Sequence, residues 1–90
     1  MNKQRRKELS NAITLLNEAQ TTIEKARDIV ESCYSEEYDY RESIPENLQE
    51  SDRYYNADAA CENLDNTTDL LGYIMSSLTE CIDSVEDAQA

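Results

Sequence analysis

Leu9, Ala12, Leu16, Ala19, Ile23, Ala26, Val30 and Cys33 recur at alternating intervals of three and four residues. Ala57, Cys61, Leu64, Thr68, Leu71, Met75, Leu78, Ile82 and Val85 do the same in the second half. That period belongs to helices packed along a narrow seam. The two runs stand in mirrored registers about the chain's single proline, Pro45. Folded back antiparallel, they set Leu9 on Val85, Ala12 on Ile82, Leu16 on Leu78, Ala19 on Met75, Ile23 on Leu71, Ala26 on Thr68, Val30 on Leu64 and Cys33 on Cys61. The expected fold is all-α, an antiparallel, coiled-coil-like two-helix hairpin in a single domain spanning residues 1–90.

Composition agrees. One glycine, one proline and no Phe or Trp leave few turn signals and no large aromatic core, which favours long helices over a sheet. A chain of 90 residues lies near the size at which one core only marginally outweighs chain entropy.

The first helix is expected over residues 3–39, with fraying from Ser35 to Tyr40 because Glu37 interrupts the apolar seam. A bend follows over 40–50. There Ser43 to Glu46 reads as an S-x-x-E capping box, and Pro45 fits a first turn that needs no N–H. The second helix is expected over 51–86, starting at Ser51 with Asp52 in its first turn. Apolar residues remain outside the seam: Ile13, Leu15, Ile29 and Tyr34 on the first helix, and Ala60, Leu70, Tyr73, Ile74 and Cys81 on the second. So wide an arc calls for more than one neighbouring helix, and the expectation is a homodimer forming a four-helix bundle.

Charge is distributed unevenly. The net charge is −12, yet residues 1–7 carry four basic side chains (Lys3, Arg5, Arg6 and Lys7), and residues 54–90 carry eight acids and no base. Such a field repels nucleic acid and anionic membrane and attracts basic protein surfaces. The basic start and the acids Glu80, Asp83, Glu86 and Asp87 near the other end both oppose their helix dipoles, and folding back places them side by side.

Three cysteines without CxxC spacing suit a reducing cytosol, with Cys33 and Cys61 expected to pack as buried thiols. No stretch approaches 18 apolar residues, and Glu8, Ser10 and Asn11 interrupt any signal-peptide core, so a soluble, cytoplasmic protein is expected.

Histidine is missing, which removes the commonest general base and metal ligand, and Gly72 alone makes no phosphate-binding loop. No enzyme, metal site or cofactor is therefore expected. Two groups suit partner binding instead. Asp58, Glu62, Asp65 and Asp69 step by four, three and four residues along one helical face, over about 17 Å. Their charge density is of the same order as one strand of nucleic acid, about one charge per 3.4 Å. The second group, Tyr38, Tyr40, Arg53, Tyr54 and Tyr55, falls around the expected bend, joined by Tyr34 and Arg41. Tyrosine and arginine are enriched at interface hot spots, and the same pair stacks on nucleotide bases. Equally, Tyr40 on Tyr54 and Tyr34 would simply close the open end of a bundle, and the acidic row would simply be a solvated face.

Residues 44–55, Ile44-Pro45-Glu46-Asn47-Leu48-Gln49-Glu50-Ser51-Asp52-Arg53-Tyr54-Tyr55, resemble small acidic proteins of phages and prophages of Gram-positive bacteria, in which long helices flank a P-E-N-L-Q segment. The start Lys3 to Lys7 followed by Glu8-Leu9 is similar too, although Glu50 stands where that pattern often has glycine. The resemblance carries no catalytic residues. It implies a task of phage proteins: blocking a host machine, CRISPR and restriction nucleases among them, by protein contact or nucleic-acid mimicry. The leading expectation is thus an inhibitor or adaptor that docks on a basic host protein in the host cytosol. The alternatives are an oligomeric sponge for a nucleotide signal, held at the tyrosine-rich end, or a purely structural bundle.

Overall fold

A computed structural model describes residues 1–90. Two long helices are joined by one short turn: α1 is Lys3–Ser43, a single 3-10 turn is Glu46–Leu48, and α2 is Asp52–Ala88. Asn2 caps α1, its side-chain oxygen accepting from the Arg5 amide at 2.8 Å. The helix runs unbroken through the stretch expected to fray, because Arg41 ties its last turn across the hairpin to Asp58 at 2.8 Å. It stops at Ile44, whose backbone is extended (φ −69°, ψ 126°), as a residue preceding proline must be.

The Ser43–Glu46 capping box does not form. Ser43 is still helical and its hydroxyl donates back to the Tyr40 carbonyl at 2.6 Å, which leaves Pro45 to open the 3-10 turn without a side-chain cap. Ser51 caps α2 instead, accepting from the Tyr54 amide at 3.4 Å.

The helices lie against one another as a rod of 69 × 15 × 14 Å. On α2 the expected seam is the observed one: every residue of the series from Ala57 to Val85 is buried or half-buried. On α1 six of the eight expected seam residues, Leu9, Ala12, Leu16, Ile23, Ala26 and Val30, are half-buried, but Ile13, Gln20, Arg27 and Tyr34 are half-buried as well, and the line continues through Glu37 and Arg41 to Ile44. Ala19 and Cys33, assigned to the seam by their apolarity, are exposed. The expected layer of two buried thiols is therefore absent, since Cys61 is buried and Cys33 is not.

Physically, an alanine methyl covers little of the facing helix, whereas the long stems of Gln, Arg and Tyr cover much more and deliver a polar head to the rim. Gln20 Nε2 donates to Thr79 Oγ1 at 2.7 Å and to the Met75 carbonyl at 3.4 Å. The Arg27 guanidinium lies over Gly72, so close that a β-carbon there would sit 3.4 Å from Arg27 Nη2. Across the hairpin Gln20 reaches both the Met75 carbonyl and Thr79, Arg27 lies against Gly72, Arg41 bonds Asp58 and Ser10 meets Gln89, pairs whose numbers add to 95 or 99. Long helical side chains lean toward the N-terminus of their own helix, so on an antiparallel partner their tips touch residues further along than their backbones face, and such contacts overstate the backbone sum.

Only Ile44, Ala57, Cys61 and Ile82 are buried, and three of the four lie at the bend end. The closed end is thus the best-packed part of the molecule, with Ile44 at 4% exposure filling the place that tyrosines were expected to take.

Candidate interaction faces

In an antiparallel pair, the residue just before a seam position on one helix lies on the same side as the residue just before a seam position on the other, and residues just after seam positions share the opposite side. The hairpin therefore has two flanks. The side of following residues carries Glu24, Asp28 and Glu31 on α1 and Asp58, Glu62, Asp65, Asp69, Asp83 and Glu86 on α2, with no basic residue among those positions. The four-carboxylate row expected on α2 is thus one edge of a broader anionic face to which α1 contributes. The α1 acids went unnoticed in the sequence because their flank depends on the true seam, which includes Gln20 and Arg27.

All four carboxylates of the row are exposed, but they are not equivalent. Asp58 accepts from Arg41 Nη1 at 2.8 Å, while Glu62, Asp65 and Asp69 enter no ion pair. Arg41 is the hub of this end. Its Nε donates to Glu42 at 3.1 Å, and its guanidinium carbon stands 4.9 Å from the Tyr38 ring centroid. Desolvation by burial works against the guanidinium's charge, yet the bonds to Glu42 and Asp58 outweigh it and push its pKa above the ordinary arginine value. Nearby, burial pushes the Cys61 thiol up, with Arg41 pulling the other way and Glu37, Asp58 and Glu42 reinforcing the rise. Further along, Arg27 Nε is shielded from solvent 3.5 Å from Glu31 Oε1, an ionic contact without hydrogen-bond alignment.

The tyrosines do not gather into one cluster. Tyr34 and Tyr38 pair along α1 (centroids 6.1 Å apart, planes at 43°), and Tyr54 and Tyr55 pair along α2 (6.2 Å, 74°). Neither ring pair crosses the hairpin, so Tyr40 does not stack on Tyr54. Tyr54 is a half-buried seam residue, Tyr38 and Tyr55 flank the anionic side, and Tyr40 and Arg53 belong to the opposite flank, exposed. Arg53 enters no ion pair and stacks on no ring. Tyr38 and Tyr55 are therefore the aromatic groups beside the carboxylate row, and Tyr38 alone also stacks on Arg41.

The other flank, of preceding residues, carries Glu8, Glu36 and Arg53 toward its ends but is uncharged and largely apolar or small between them. Between residues 12 and 33 it holds Ala12, Leu15, Ala19, Thr22, Ala26, Ile29 and Cys33, and on α2 it holds Ala60, Asn63, Thr67, Leu70, Ile74, Ser77, Cys81, Ser84 and Ala88. Leu15 and Ile29 are each 65% exposed and Leu70 60%. A groove of about 420 Å³ runs along its α2 edge, lined by Leu70, Tyr73, Ile74, Ser77, Leu78 and Cys81. No helix is long and apolar enough to cross a membrane.

Comparison with protein families, curated proteins and solved structures finds no match to this chain.

Proposed function

We propose that the chain is a non-enzymatic interaction protein of phage type, acting as a homodimeric four-helix bundle, that lays its carboxylate flank on a basic surface of a host protein such as the nucleic-acid channel of a CRISPR or restriction nuclease. One observation carries the reading: over residues 12–33 and 60–88 the two flanks of the rod differ in charge, one lined with carboxylates and the other with none. Solvation alone needs acids distributed around the rod, whereas here Glu24, Asp28 and Glu31 share one side with Asp58, Glu62, Asp65 and Asp69. A surface of one sign raises the encounter rate with an oppositely charged partner and rejects like-charged ones. Spaced over about 17 Å, the α2 row presents carboxylates to side chains that otherwise grip phosphates.

The test is capture from a Gram-positive bacterial lysate at low and high salt, followed by binding of the purified partner to the variant Glu62→Gln/Asp65→Asn/Asp69→Asn. These three acids are free of ion pairs, so their neutralisation leaves the hairpin intact. The expected result is a basic protein released by salt, bound at least about tenfold more weakly by the triple variant. Equal affinity for wild type and variant overturns the reading.

A further inference from the structure

The neutral flank is the larger departure from an ordinary protein surface. At 10.3 kDa a compact monomer exposes about 5,400 Å², and this chain exposes 6599 Å². The excess, about 1,200 Å², is what an unpartnered two-helix rod of 69 × 15 × 14 Å leaves in water, and a standard interface buries roughly 800 Å² on each partner. An occupant must also satisfy the chain's electrostatics. Two copies at −12 each repel one another, so a self-contact requires a face without carboxylates. The flank running through Leu15, Ile29, Leu70 and Ile74 meets that requirement over its central stretch, carrying no charged residue over 12–33 on α1 or 60–88 on α2, with Glu8 and Glu36 only at its α1 margins. A basic partner would instead seek the opposite side. Ala12, Ala19, Ala26 and Ala60 line the same flank, and small side chains let two helical layers approach closely.

The geometry points to a second copy of this chain seated on the neutral flank, with Leu15 and Ile29 of α1 and Leu70 and Ile74 of α2 at the contact. The assignment rests on the homodimer reading above and names its face. A two-fold dimer built this way turns both carboxylate flanks outward on opposite sides, so that one particle docks two basic surfaces.

Sedimentation across concentration and salt, together with thiol alkylation, tests it. Wild type should be a dimer that tightens as salt rises, because screening removes repulsion between like charges, the reverse of the salt response of a basic partner. Ile74→Glu, and separately Leu15→Glu, should raise the dimer dissociation constant at least about 100-fold while helical circular dichroism persists. Ser76→Glu, among the residues outside this flank, should leave it unchanged. Should either flank variant fail to fold, wild type still decides: iodoacetamide should modify Cys33 and Cys81, both on the flank, more slowly in concentrated than in dilute solution, and a rate independent of concentration overturns the assignment. A wild-type monomer at all concentrations overturns the homodimer itself. A dimer that survives both glutamate substitutions leaves the homodimer standing and overturns the face.

Discussion

Gly72 stands in the middle of a helix, where glycine is about 1 kcal/mol less favourable than alanine. The nearest obstacle to a β-carbon is the mobile end of Arg27, at 3.4 Å. Because a guanidinium on a flexible stem can shift by a few tenths of an ångström, Gly72→Ala should stabilise the hairpin by about 0.5–1 kcal/mol, read as a rise in thermal midpoint. Cys61 gives a prediction of pH dependence. Its folded-state pKa is raised, chiefly by burial, so the native state holds the thiol proton more tightly than the unfolded chain does. The stability linked to that proton is complete below the ordinary thiol range and is lost as pH climbs through the folded value. Thermal melts from about pH 7 to about pH 10 should show a decline in wild type that Cys61→Ala lacks, the tyrosines cancelling in the difference between the two.

For the helices and their joint, Arg41 explains why α1 outlasts its apolar pattern. Exposed ion pairs contribute about 0–1 kcal/mol, and the Asp58 side chain is 52% exposed, so a double-mutant cycle on Arg41→Ala and Asp58→Ala should give a coupling below about 1 kcal/mol. Arg41→Ala alone should cost more than Asp58→Ala, because it also removes the Tyr38 contact, the Glu42 bond and the packing of the arginine stem. A larger loss with Asp58→Ala would remove Arg41 as the hub. The hairpin, its proline-marked bend and the whole α2 seam were legible in the sequence, because on α2 apolar identity and seam position coincide. The α1 seam was legible only in part, since Gln20, Arg27, Tyr34 and Arg41 recur every seven residues as long polar chains that an apolar count passes over. Ala19 and Cys33, apolar and at seam spacing, read as seam residues although they are exposed. The carboxylate row was readable because it needs only helical spacing on α2. Its α1 half and the separation of the tyrosines between flanks were hidden, because both depend on the correct α1 seam.

As a whole, the molecule is a rod, tightly packed at one end, whose two flanks repel and attract different things. The opposite salt responses expected of self-association and of partner binding follow from that division. Ser10 and Gln89 touch at the far end of the rod, 3.4 Å apart, so the first and last turns of the chain emerge together. Tension applied to the two ends of such a chain does not shear the whole seam at once. It loads one layer at a time, parting Ser10 from Gln89 first, then Gln20 from Thr79, then Arg27 from Gly72, and meets the packed corner around Ile44 last. A molecular motor pulling on either end would open the isolated hairpin like a zipper, at low force and in sequence order.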